Sequence, residues 1–375
     1  MKPWLGDEEA RAAAEAVCSG WVAQGPRVAE FESRFAARVG AQHGVAVSSC
    51  TTALHLALHL LGVGPGDEVV VPSLSFVATA NCARYVGATT VFADVEPGDG
   101  NLSARTVEAV LTERTSAVVV VDQGGSPADV APLRELLARR GIALVEDAAC
   151  AAGSRYHGAP AGAGATVAAW SFHPRKLLTT GEGGMLTIED PELASRARRL
   201  REHGMNISAA DRHTSRQPVI ESYLEIGFNY RMTDIQAAVG LVQLAKLDEM
   251  VRRRRDRACR YQAMLSDVPG LRTVRDPAWG ESNFQSFWVE LDDGYPLSRN
   301  QLLAALAAEG ISARPGIMAA HRQPAYADHP HVDLPVTERL TDNTLILPLF
   351  HTMDDADQAA VVRAVRRAAG IGSGP

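Results

Sequence analysis

Seven short runs rich in β-branched and small apolar residues, at positions 45–48, 68–71, 89–93, 117–122, 143–146, 166–171 and 184–188, are interleaved with stretches of helical spacing. Good helices are expected at 52–61, ended by Gly62, at 103–111, and at 130–140, ended by Gly141. Such alternation predicts an α/β fold with a mostly parallel central sheet and helices on both faces. With 375 residues the chain is long enough for two domains and a large buried core.

Beyond the seventh run the periodicity fades. Positions 205–219 carry Asn206, Ser208, Asp211, Arg212, Ser215, Arg216 and Gln217, the composition of a long loop. A long helical region, 233–265, then leads into strands at 285–291 and 344–347 and helices at 299–309 and 354–369. This second section reads as a smaller C-terminal α+β domain. The division is placed near Lys246, giving a large domain at 1–245 and a small one at 246–375.

Composition excludes several classes. Hydrophobic residues make up 46% and charged residues 22%, and no apolar run approaches the roughly 18 residues of a spanning helix, so a membrane protein is not expected. The opening Met-Lys-Pro-Trp-Leu-Gly-Asp-Glu lacks the pattern of a secretory signal, which points to the cytoplasm. The five cysteines, Cys18, Cys50, Cys82, Cys150 and Cys259, are scattered without a Cys-x-x-Cys pair, so neither disulfides nor a metal site is indicated. A net charge of -7 argues against nucleic acid as a partner. The basic run Arg252, Arg253, Arg254, Arg255 with Arg257 and Arg260 falls at helical spacing and reads as the solvated face of a helix.

Chemistry is signalled first by a lysine. The chain uses three lysines against 34 arginines, yet Lys176 directly follows Arg175. Charge alone would be served by another Arg, whereas a Schiff base requires a primary amine that guanidinium cannot supply. Ser171-Phe172-His173-Pro174 comes straight off a strand before it, and Thr179-Thr180-Gly181-Glu182-Gly183-Gly184 follows, a backbone able to approach a ligand closely.

Pyridoxal phosphate (PLP) would need such a lysine, a carboxylate for its protonated ring nitrogen and a phosphate cradle. Asp147 lies just past the strand at 143–146, at the end where open α/β sheets bind ligands; it also suits a helix N-cap, and Asp122 is a rival at another strand end. Ser48-Ser49-Cys50-Thr51-Thr52 stands between a strand and a helix, where N–H groups and the helix dipole favour an anion, although an ordinary Ser/Thr cap explains it equally well. Ser171 offers a further hydroxyl, and Phe76 is placed to lie flat on a ring or to join the core.

Together these segments resemble the DegT/DnrJ/EryC1/StrS family of PLP-dependent sugar aminotransferases over nearly the whole chain. The most specific pieces are Glu146-Asp147-Ala148-Ala149, Ser171-Phe172-His173-Pro174-Arg175-Lys176 with Thr180-Gly181-Glu182-Gly183-Gly184, and Gly227-Phe228-Asn229-Tyr230-Arg231-Met232. The resemblance implies the fold-type-I PLP-dependent aminotransferase fold. Lys176 would carry the cofactor and move the proton, Asp147 would pair with the pyridinium, and Ser171 with Thr51 would hold the phosphate. It also implies a homodimer with shared active sites, Asn229 reaching the neighbour's phosphate, and Phe76 stacking on the cofactor.

His321, in His321-Arg322-Gln323-Pro324-Ala325-Tyr326, matches a motif the family places near the sugar, which makes His321 and Tyr326 substrate candidates. Three departures stand out. Cys50 replaces the usual Gly of the cradle, Cys150 replaces a common Gln near the cofactor, and Val121-Asp122-Gln123-Gly124-Gly125 lacks the usual His and aromatic residue.

The activity implied is amino transfer from L-glutamate or L-glutamine to a nucleotide-linked keto sugar. Arg314-Pro315 ahead of His321 resembles enzymes acting on a dTDP-4-keto-6-deoxyhexose, with 3-keto sugars and keto-cyclitols as alternatives. Rival readings are a PLP-dependent sugar dehydratase, which would carry His in place of Lys176, a PLP-binding regulator, which would need a DNA-binding domain, and a metal hydrolase built on His329, His331 and Asp333.

Overall fold

Strands made almost wholly of Val and Ala can be buried only if both faces of their sheet are covered. A computed structural model describes residues 3–207 and 220–371, so the polar stretch read as a loop lies outside the described residues from 208 onward. Two helices, α1 (Asp7–Cys18) and α2 (Pro26–Arg38), precede β1 (His43–Val47). There follow α3 (Cys50–Leu60), β2 (Glu68–Pro72), α4 (Val77–Tyr85), β3 (Thr89–Ala93), α5 (Ala104–Glu108), β4 (Thr115–Val121), α6 (Val130–Ala138) and β5 (Ala143–Asp147). Two-residue strands β6 (Arg155–Tyr156) and β7 (Ala159–Pro160) lead to β8 (Val167–Ser171), β9 (Gly184–Ile188) and α7 (Pro191–Leu200).

The seven long strands form one sheet in the order β1-β9-β8-β5-β4-β2-β3. β2 pairs in parallel with β3 and β4, β4 with β5, and β5 with β8, while β9 runs antiparallel to both its neighbours. Successive residues point to opposite faces. Val69, Val71, Ala117, Val119, Val167 and Ala169 therefore pack with α3, whereas Val70, Val118 and Val120 enter the cluster that includes Leu133 and Leu137 of α6. The near-continuous apolar spelling of these strands follows from that double burial.

The second unit begins on α8 (Asp234–Met264), whose Thr233 cap accepts from the Gln236 N–H. It continues through β10 (Leu271–Thr273), β11 (Gly280–Glu281), β12 (Phe287–Leu291), α9 (Arg299–Ala308), β13 (Arg314–Pro315), α10 (Pro335–Asn343), β14 (Thr344–Leu347) and α11 (Asp355–Ala368). Its sheet has the order β10-β12-β14-β13, and β11 joins β6 and β7. Helix α8 runs unbroken through Lys246, so the expected division falls inside a helix that serves both units.

The basic run on α8 departs from the expected solvated face at one residue. Arg254 is only 1% exposed, and its guanidinium donates to the carbonyls of Phe284, Gln285 and Leu349. The others pair at the surface: Arg252 and Arg253 with Glu249, Arg255 with Asp276, Arg257 and Arg260 with Asp355.

One close crossing brings β9 under the start of α3. A Cβ at Gly184 would lie 2.4 Å from the Ser49 carbonyl carbon and 2.6 Å from the Cys50 nitrogen, both backbone atoms. Gly184→Ala should therefore cost roughly 1–3 kcal/mol, the usual penalty of overpacking, read as a fall in urea unfolding midpoint.

Candidate active site

The carboxyl ends of the parallel strands gather the polar residues. Asp147 ends β5, Ser171 ends β8, Asp122 directly follows β4, and Ser73 follows β2. Asp147 is 4% exposed. Its Oδ2 accepts from the Thr79 hydroxyl at 2.8 Å, and Oδ1 accepts from the Ala149 N–H at 3.2 Å. Thr79 in turn lies 2.9 Å from Ser75 Oγ; since Thr79 spends its proton on Asp147, Ser75 is the donor there. Burial raises the Asp147 carboxyl above the ordinary range, against the pull of Thr79, Lys176 and the Ala149 N–H. A cation placed against this carboxylate would relieve that cost.

Lys176 sits in the tight turn after β8, where its N–H donates to the His173 carbonyl at 2.8 Å. Its Nζ is 3.1 Å from Cys150 Sγ. Burial pulls its ammonium pKa down, but the Cys150 sulfur beside it and the Asp147 carboxylate act the other way and leave it above the ordinary value. The Cys150 loop is pinned from the second unit: Asn283 Nδ2 donates to the carbonyls of Cys150 and Ala152 at 2.8 and 2.9 Å. Gly125 makes room for that contact, because a Cβ there would lie 1.9 Å from Asn283 Oδ1, and its φ of 93° already favours glycine.

The cradle is the start of α3. Ser49 caps the helix by accepting the Thr52 N–H at 3.1 Å, while the N–H groups of Cys50 and Thr51 stand at first-turn positions that have no intrahelical acceptor. The Cys50 thiol points towards the site, 4.0 Å from Asp147 Oδ1, and burial followed by the Asp147 charge pushes its pKa well up, so it is a neutral thiol. Ser171 is half-buried beside Gly184 in the β8–β9 pairing. Phe76, at the N-cap of α4, leaves 65% of its surface exposed, an unusual position for a large ring without something to cover it. Asn229 is exposed, and its neighbours are fixed to the cradle side: the Ser48 N–H donates to the Tyr230 carbonyl at 2.8 Å.

The three substrate candidates lie differently. Arg314 is half-buried on β13, close enough to Arg175 and Cys150 to feel both, and no carboxylate among the described residues pairs with it. With Gln285 it lines a cavity of about 680 Å³ on the second unit, and Gln285 Nε2 donates back to the Arg175 carbonyl. His321 is 5% exposed. Its backbone N–H donates to Ser73 Oγ at 3.2 Å; the Glu338 carboxylate, 3.3 Å from Nε2, can only accept, so the ring proton sits on Nε2 and Nδ1 accepts from the Ser73 hydroxyl at 2.6 Å. Tyr326 is equally buried, with its hydroxyl 2.8 Å from Asn81 Oδ1.

His329 Nε2 lies 2.5 Å from the Thr90 carbonyl and His331 Nδ1 lies 2.8 Å from that of Val332. Among the described residues no cluster of three His, Cys, Asp or Glu side chains is arranged to hold a metal.

Thr79, Asn283 and Gln285 were not marked by the sequence. For Thr79 a signal existed, since it lies three residues after Phe76 in the same helical turn and so on the same face. Asn283 and Gln285 are more than a hundred residues from their partners and carry no local motif.

The family model of the DegT/DnrJ/EryC1/StrS aminotransferase family matches residues 3–366, so the chain belongs to that family and is an aminotransferase. Its structure is similar to aminotransferase TlmJ from Streptoalloteichus hindustanus, with 40% identity, 98% of each chain covered and a TM-score of 0.90. It is similar to DesV of S. venezuelae, solved in complex with a ketimine intermediate, with 37% identity over 96% of this chain and 94% of that one, TM-score 0.88. DesI, solved in the presence of its TDP-sugar product, matches at 34% identity over 98% of this chain and 92% of that one, TM-score 0.88.

Proposed function

We propose that this aminotransferase carries PLP on Lys176 and moves an amino group from L-glutamate or L-glutamine to a keto sugar held on a nucleotide, a dTDP-4-keto-6-deoxyhexose. The observation that carries the reading is the meeting, at one edge of the sheet, of a buried primary amine, a buried carboxylate and an uncovered helix N-terminus. The TDP-sugar product of DesI and the Arg314-Pro315 pair support the acceptor.

The residues fit the cofactor. Cys50 and Thr51 N–H groups with the Ser171 hydroxyl would hold its phosphate, Phe76 would cover one ring face, and Asp147 would meet the ring nitrogen. When bound, PLP supplies an electron sink through which an amino group and a proton are exchanged. Everything else falls to the chain. Thr79 and the Ala149 N–H orient the Asp147 carboxylate. The Lys176 amine, when free, would take and return the proton at the reacting carbon. Cys150, 3.1 Å away, lines the path of that amine.

Arg314, which has no carboxylate partner among the described residues and stands beside Arg175, would meet an anionic group of the substrate. His321 would act beneath the site, holding Ser73 and with it the approach to Phe76. A homodimer would complete the pocket, with exposed Asn229 reaching the partner's phosphate and exposed Tyr223, Leu224 and Ile226 nearby in sequence offering apolar surface.

The test is transfer of label. Enzyme with dTDP-4-keto-6-deoxyglucose and either ¹⁵N-amino glutamate or ¹⁵N-amino glutamine should yield a sugar nucleotide whose keto oxygen is replaced by an amino group carrying ¹⁵N, seen by mass spectrometry. Unchanged sugar nucleotide with both donors, while a 3-keto isomer is aminated, would move the activity to the other carbon.

A further inference from the structure

Two buried carboxyl oxygens beside the site accept no hydrogen bond from any other group among the described residues. Asp122 Oδ2 and Glu146 Oε2 are both unbonded to other groups, in side chains 1% and 3% exposed. β4 and β5 run in parallel with Val120 opposite Glu146 and Val121 opposite Asp147, which sets Asp122 at the end of one strand against the carboxylates of the next. Residues two apart on a strand share a face, so Asp122 projects on the side of Val120 and of its ladder partner Glu146, where the two carboxyl groups meet. Two ionised carboxylates cannot do this, since each would be acceptor only; one proton must lie between them.

The surroundings decide which group owns it. Glu146 Oε1 accepts the Gly162 N–H at 2.7 Å, and Oε2 faces the Arg134 guanidinium at 3.6 Å, so Glu146 is the better anion. Asp122 has the Ala128 N–H on Oδ1 at 2.9 Å, no cation beside it among the described residues, and Asp147 as a further negative neighbour. The Asp122 N–H also donates to the Asp147 carbonyl at 3.2 Å, so the two residues are held side by side.

We infer that Asp122 is a neutral carboxylic acid donating its proton to Glu146, a positioning residue that spares Asp147 a second negative charge from the adjoining strand end. Burial, then the Glu146 charge, raises the Asp122 carboxyl well above its ordinary range, in the same direction. The consequence for Asp147 rests on the PLP reading; the location of the proton does not.

Infrared spectra of the full-length holoenzyme at neutral pH test it. A protonated-carboxyl stretch should be present in wild type, lost in Asp122→Asn and kept in Glu146→Gln with a shifted frequency. Absence of the band from wild type, or its persistence in Asp122→Asn, would overturn the inference. Unfolding against pH is the second readout. A carboxyl raised on folding weakens the fold as pH climbs from the unfolded pKa of about 4 towards the folded one. Wild type should therefore lose stability relative to Asp122→Asn over that interval; the opposite trend would mean an ionised Asp122. Failure to bind PLP would sink the cofactor reading and leave both readouts standing.

Discussion

Lys176→Ala should lose transamination by about 10⁴-fold or more, since it removes both the covalent attachment and the proton carrier. The fold should survive. Lys176 is a half-buried residue in a turn held by main-chain bonds, the Phe172 N–H to Gly183 carbonyl at 2.9 Å and the Lys176 N–H to His173 carbonyl at 2.8 Å, neither of which needs the amine. Its removal also frees the structure of a desolvated ammonium whose nearest contact is a thiol. Circular dichroism and sedimentation should match wild type while single-turnover amino transfer from glutamate disappears. Near-normal turnover in a folded variant would remove Lys176 from the mechanism.

Asp147→Asn should have the second largest effect. The amide keeps the shape and can still bond Thr79 and the Ala149 N–H, but it cannot carry the charge that keeps a ring nitrogen protonated. A fall in kcat of about 10²–10³-fold, roughly 3–4 kcal/mol, is expected, as for the loss of other preorganised electrostatic partners. Cofactor affinity should weaken as well, because the buried partner no longer supplies a counter-charge. KM for the donor should change little, since on the proposed reading Asp147 would meet the ring nitrogen, away from the donor's side. Steady-state kinetics with saturating PLP separate the two effects.

Much of the first unit was legible because its physics is local. A strand buried on both faces is spelled as a run of Val and Ala, and a polar residue at its carboxyl end, such as Asp147 or Ser171, is left at the sheet edge where ligands bind. Lys176 stood out because the chain so rarely uses lysine. The two-residue strands β6, β7, β11 and β13 carry too few residues for any period to show.

Other features were illegible because their partners are distant in sequence. Arg254 reads as one more surface arginine until its carbonyl acceptors at 284, 285 and 349 are brought together. The same is true of the Asn283 clamp on Cys150, and of His321, whose ring nitrogens face Ser73 and Glu338. Asp122 was visible as a strand-end acid, but only the β4–β5 register reveals the carboxylate it shares a proton with.

The central claim is that Lys176 holds the cofactor. Reducing the PLP-loaded enzyme with borohydride fixes the pyridoxyl group on whichever amine bears it, and peptide mapping by mass spectrometry then locates it. The account predicts modification of Lys176, abolished when L-glutamate is added first. A pyridoxyl group on Lys246 or Lys2, or on no lysine at all, would contradict it.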